Sequence, residues 1–321
     1  MAILYSIVGP TGSGKTGVVL GAAAKLLSRN MDGRIAIVSA DSRQVYAGIP
    51  IITGADVPTS FANVTLEYPL RSAFVHPDFP LTIFGVGIIS PVEEWSASHF
   101  AELFRAVLSE YSLPQDKIFV VGGTMLYQQS IDRAELLQSP GPNSEIRHRA
   151  EKMSVSELQA WITSIDRSIL DGMNDSDKNN PPRLVRAIER AVASPVTEGS
   201  SLQVPNHEWL GIMPDMEQLA KNISARVAER FDGGAIEEVE KLWLLIEDKG
   251  LNPRKLPAWS ACGVPYLNAF VQGEINRQLC IEQWAASELR YVKRQRTWWK
   301  KQQDITWYSE KQALLEKLLQ L

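Results

Sequence analysis

The sequence predicts an α/β fold: a parallel sheet flanked by helices, carrying a small helical insertion domain. Three observations predict it. Apolar runs at Ile3–Val8, Ile35–Ala40 and Ile118–Val121 have the length of strands buried on both faces. Each run ends in a glycine-rich or polar turn. Helical patterns such as Gly17–Leu27 and Ser96–Tyr111 separate the runs. Strand–helix alternation is how a parallel sheet with crossover helices reads in sequence, and such sheets bind ligands at the carboxyl ends of their strands.

The 321 residues are 45% hydrophobic and 22% charged with a net charge of −4, which suits one large domain plus an insertion and excludes a disordered chain. No stretch approaches the ~18 uninterrupted apolar residues of a membrane span. The opening MAILYSIVGP lacks a basic n-region and a cleavage site, so it reads as the first strand rather than a signal peptide. Cys262 and Cys280, with four scattered histidines, supply neither a disulfide framework nor a zinc finger. A cytoplasmic protein is expected, and a monomer, because no heptad or apolar patch argues for assembly.

Along the chain, the first strand feeds a glycine-rich turn and a helix, and the second ends in Asp41. The third ends in Gly122-Gly123-Thr124. From about Asp132 the sequence turns polar and helix-forming, broken at Ser139-Pro140-Gly141-Pro142 and at the loop Asp175–Pro182. The expected division is a core of residues 1–131 and 190–321 with an insertion at 132–189. A helix-rich segment runs from Met216 to Glu247, and a last helix from about Ile281 to Gln303. Its Tyr291, Gln295, Trp298 and Gln302 share one helical face. Six basic residues against one acid between Glu288 and Lys301, interleaved with aromatics, suggest an anionic partner met on one side.

The strongest motif is Gly9-Pro10-Thr11-Gly12-Ser13-Gly14-Lys15-Thr16. It fits G-x-x-x-x-G-K-[ST] between a strand and a helix, the context of a P-loop. Loop N–H groups and the helix N-terminus cradle phosphates, Lys15 adds a point charge, and the Thr16 hydroxyl can reach Mg²⁺. Asp41 could serve Mg²⁺ as well, or cap the following turn. No further acid or glutamine stands ready to position water for γ-phosphate hydrolysis, which argues against an ATPase.

The loop form GPTxSGKT followed by Asp41-Ser42-Arg43-Gln44-Val45-Tyr46 resembles the tRNA dimethylallyltransferases, also called tRNA isopentenyltransferases. Four more segments resemble that family in the same order: Val121–Tyr127 (GGT-x-LY), Asn174-Asp175 with Pro182–Glu189 (R-x-x-RALE), Arg226–Phe231 (R-x-x-x-RF) and Arg290–Trp298 (KRQ-x-TW). The resemblance implies a P-loop NTPase-like fold and transfer of a dimethylallyl group from dimethylallyl diphosphate to N6 of adenosine 37, in the anticodon stem-loop of tRNA. It implies Mg²⁺, and Gly9–Thr16 with Arg226 holding a diphosphate leaving group. It further implies catalytic roles for Thr11, Arg226 and Asp41, the last as the base that takes a proton from the attacking amine. Toward tRNA it implies Asp41, Ser42, Arg43, Gln44, Thr124, Arg147, Pro182, Arg183, Leu184, Val185 and Arg186.

The sequence departs from the family at Ile52–Pro58, where GTxKP is usual, at Met125, where glycine is usual, and around Ser260–Pro265. The zinc-finger extension of some eukaryotic members is missing, as in bacterial-type enzymes. An adenylate isopentenyltransferase, a P-loop small-molecule kinase and an inactive RNA-binding relative are the alternatives.

Overall fold

The computed structural model describes residues 2–29, 32–132, 143–193 and 207–321. The chain divides into two units, Met1–Asp132 with Gln203–Leu321, and Arg133–Leu202. The helix Pro181–Val192 therefore lies wholly inside the second unit and is not divided at residue 189. The expected break at Ser139–Pro142 lies outside the described residues.

The first unit is built on an eight-stranded sheet in the order β3-β4-β5-β2-β6-β1-β7-β8. These strands are β1 (Ile3–Val8), β2 (Ile35–Ser39), β3 (Ala62–Thr65), β4 (Ser72–Val75), β5 (Leu81–Phe84), β6 (Lys117–Gly122), β7 (His207–Ile212) and β8 (Thr306–Tyr308). From β5 to β8 all pairings are parallel, whereas β3 and β4 form an antiparallel edge. The strands β1, β2 and β6 read as continuous apolar runs because helices cover both of their faces; Leu4, Ile7, Ile35, Ile118 and Phe119 have no exposed surface.

The helix Ala97–Glu110 forms where its pattern predicts, started by Ser96, whose hydroxyl accepts the His99 N–H. The expected helix-rich segment from Met216 to Glu247 holds two α-helices, Met216–Arg230 and Ile236–Asp248. Gly234 parts them with φ 115, a backbone conformation that other residues resist. The last long helix is Arg277–Trp299, four residues earlier at each end than expected. Its buried stripe is Trp284, Glu288, Val292, Gln295 and Trp299. Of the four residues placed on one face, Gln295 belongs to this stripe, Tyr291 and Trp298 are half-buried, the latter edge-on to Trp299, and Gln302 lies beyond the helix.

The second unit has its own core. Ile146, Leu158, Ile162, Leu184 and Ile188 pack together from three helices, Ser144–Ala150, Val155–Ile165 and Pro181–Val192.

Candidate active site

Sheet order assembles the site. Because β6 lies between β1 and β2, their carboxyl ends bring the Gly9–Thr16 loop, the Gly122–Thr124 turn and Asp41 side by side. Gly14 caps the helix Lys15–Ser28 in the left-handed conformation, φ 84, which glycine adopts without strain. The Thr124 N–H donates to the Ala40 carbonyl at 3.2 Å, and its Oγ1 accepts the Ser42 N–H at 3.0 Å. Asp41 Oδ1 accepts the Arg43 N–H at 2.9 Å, which fixes the carboxylate at the strand end.

These ends border a cavity of about 210 Å³. Thr11, Gly12 and Gly14–Gly17 form one wall; Asp41, Gln44, Gly54 and Asp56 face them, with Arg226 and Arg230 alongside. Lys15, Arg226 and Arg230 thus converge on one small space, as recognition of a compact anion requires. Burial pulls the Lys15 ammonium down to about 8, opposed by the attraction of Asp41 and reinforced by the repulsion of Arg226. Its Nζ donates to the Pro10 carbonyl at 3.2 Å. Arg226 donates to Thr11 Oγ1 at 3.1 Å and to the Glu288 carboxylate. Arg230 is nearly buried and lies 3.6 Å from the other Glu288 oxygen, which also accepts the Trp284 indole N–H at 3.1 Å.

A family model described as "IPP transferase" matches residues 82–302. The chain belongs to the IPP transferase family. A tRNA dimethylallyltransferase of Maridesulfovibrio salexigens is 30% identical over 313 residues, 94% of this chain and 91% of that protein. Another from Trichormus variabilis is 27% identical over 98% of this chain and 96% of its own. Among solved structures, the tRNA isopentenylpyrophosphate transferase of Bacillus halodurans superposes with a TM-score of 0.63 at 23% identity, covering 100% of this chain and 95% of that one. A eukaryotic dimethylallyltransferase acting on tRNA gives 0.71 at 19% identity, covering 96% and 73%. These solved structures establish the α/β fold of this family member.

Several residues of this IPP transferase family chain play parts that the sequence did not assign. Gly9, Pro10 and Ser13 are buried behind the cavity wall and shape the loop; the Pro10 carbonyl accepts the Ser13 N–H at 3.3 Å. Gln44 does not point a free amide at a base: its Oε1 accepts Ser39 Oγ–H at 2.7 Å and its Nε2 donates to the Gly54 carbonyl at 2.6 Å. The Arg43 guanidinium donates to the Pro257 carbonyl at 2.8 Å. Arg230, Glu288 and Gln295 were missed. Arg230 follows Arg226 by four residues and so shares its helical face, which was the available signal. Glu288 and Gln295 are the polar members of the buried stripe of their helix.

In the second unit, Leu184 is fully buried in the core, so its side chain holds the helix together and is not open to RNA. Val185 also packs partly against that core. Arg147 and Arg186 both pair with the buried Glu189, each at 2.9 Å, while Arg183 pairs with Asp177. Burial alone would raise the Glu189 carboxyl; bonds from Arg186, the Asn143 N–H and Arg147 outweigh it and hold the group below its ordinary value. Pro182 is exposed in the first turn of its helix. Among the described residues no helix is long and apolar enough to cross a membrane.

Proposed function

We propose that this chain transfers a dimethylallyl group from dimethylallyl diphosphate to N6 of adenosine 37, beside the anticodon of tRNA. The observation that carries the reading is the cationic P-loop cavity with Asp41 at its rim. Loop amides, Lys15, Arg226 and Arg230 hold the diphosphate. As the allylic C–O bond breaks, negative charge grows on that leaving group where these donors already stand. The adenine amine attacks the allylic carbon, a C–N bond forms, and the amine proton passes to the Asp41 carboxylate. Thr11 acts by positioning Arg226, whose guanidinium it shares with Glu288.

Mg²⁺ fits the donor set. The Thr16 hydroxyl lines the cavity and would hold the ion; Mg²⁺ takes one or two protein oxygens while substrate phosphates and water complete its shell. When bound, it supplies further neutralisation of the leaving diphosphate.

The adenine must leave its stack to reach the cavity. Ser42, Arg43 and Thr124 sit beside Asp41 to receive it, and Arg147, Pro182, Arg183 and Arg186 offer charge and shape to the RNA backbone. The chain acts as a monomer in the cytoplasm, a compartment that suits its two free thiols, Cys262 and Cys280. The names of the curated relatives favour tRNA over free nucleotides as the acceptor. The test is to offer the chain Mg²⁺ and labelled dimethylallyl diphosphate with either tRNA bearing A36-A37 or AMP. Label in tRNA alone is expected; prenylation of AMP at a matching rate would replace the acceptor.

A further inference from the structure

Gln295 has no exposed surface, and each end of its amide grips a different loop of the site. Oε1 accepts the Thr11 N–H at 2.9 Å, and Nε2 donates to the Gly123 carbonyl at 3.0 Å. The two partners fix the amide orientation, since one is a donor and the other an acceptor. The loops belong to neighbouring strands, whose pairing ends at Val8 and Gly122. Beyond that point Gln295 spans the gap. A Cβ on Gly123 would strike the Gln295 amide, so the turn is glycine where the clamp needs room.

The contacts on either side give the clamp its meaning. Thr11 touches Arg226 over the anion cavity, and Gly123 precedes Thr124, which holds the Ser42 N–H next to Asp41. We infer that Gln295 is a positioning residue that sets the donor loop and the acceptor loop in register. This rests on the proposed transfer reaction and deepens it. Reacting atoms must meet at about 3–3.5 Å, and a shift of about 1 Å can lower the rate on the order of 100-fold. Only a side chain with both a donor and an acceptor can tie an N–H to a carbonyl at this spacing; methionine has the length and offers neither bond.

The full-length variants Gln295→Met and Gln295→Asn test this, Asn keeping the amide but losing the reach. The measurements are kcat and KM with tRNA and dimethylallyl diphosphate, the Kd of inorganic diphosphate, and thermal melting. The expected result is a fall in kcat of about 10- to 100-fold with the diphosphate Kd changed less than about threefold. A kcat within about threefold of the parent in a folded variant overturns the role, as does a loss explained wholly by weaker diphosphate binding. Should both variants fail to fold, Gly123→Ala pushes the same amide from the opposite side, and the same kcat-selective loss is expected. A parent chain that prenylates no tRNA overturns the function itself; an active parent matched by Gln295→Met overturns only the clamp.

Discussion

Arg226 and Glu288 form an ion pair at the wall of the anion cavity, and the same carboxylate faces Arg230 3.6 Å from its second oxygen. Glu288 is almost wholly buried. Removing one partner of such a pair leaves uncompensated charge and costs about 3–5 kcal/mol. Glu288→Gln is therefore expected to lower unfolding free energy by about 3 kcal/mol in denaturant titration. Inorganic diphosphate should recover part of the loss by neutralising the arginines. An unchanged midpoint contradicts this.

Lys15 gives the reaction a pH dependence with a definite sign. Its pKa is lowered to about 8, so the free chain carries the charge below that pH and loses it above. The kcat/KM for dimethylallyl diphosphate should hold at lower pH and fall as pH rises through about 8. In Lys15→Arg, whose guanidinium stays charged, that descending limb should vanish whatever the overall rate. A limb kept in the variant assigns the titration to another group.

Gly54 sits at the cavity in the left-handed region, φ 67, and a Cβ there would collide with the Arg230 guanidinium. Gly54→Ala is expected to raise the KM for dimethylallyl diphosphate about tenfold or more, by about 1.4 kcal/mol of lost binding. The KM for tRNA should change less. Equal effects on both substrates would show that Arg230 does not serve the donor.

Glu189 organises Arg147 and Arg186 within the second unit. Glu189→Gln weakens that charged anchor, so the KM for tRNA should rise severalfold while binding of inorganic diphosphate stays unchanged. Filter binding of tRNA and calorimetry with diphosphate separate the two. Loss of diphosphate binding would contradict the assignment of this unit to RNA.

The P-loop was legible because its chemistry is local: glycines, a lysine and a hydroxyl within eight residues, placed between an apolar run and a helix. Asp41 and Gly122–Thr124 were legible for the same reason, as polar ends of buried strands. The β3–β4 edge was not: Ala62–Thr65 is mostly exposed and lacks the apolar alternation that marks a half-buried strand. Which of Trp298 and Trp299 is buried was not legible, because the two are equally apolar neighbours and only packing against Trp209 and Ile305 selects the second. Glu288 and Gln295 look like surface residues in sequence. Their partners, Arg226 and Thr11, are 62 and 284 positions away, and no local pattern announces them.

The central claim is that Asp41 takes the proton while the P-loop holds the diphosphate. The most direct measurement is transfer of label from dimethylallyl diphosphate to tRNA bearing A36-A37, with Mg²⁺, by the parent chain and by Asp41→Ala. The expected result is labelled tRNA from the parent, a rate lower by about 100-fold or more in the variant, and inorganic diphosphate bound by both. Label transfer at the parental rate by Asp41→Ala, or none from a parent that binds diphosphate, would contradict the account.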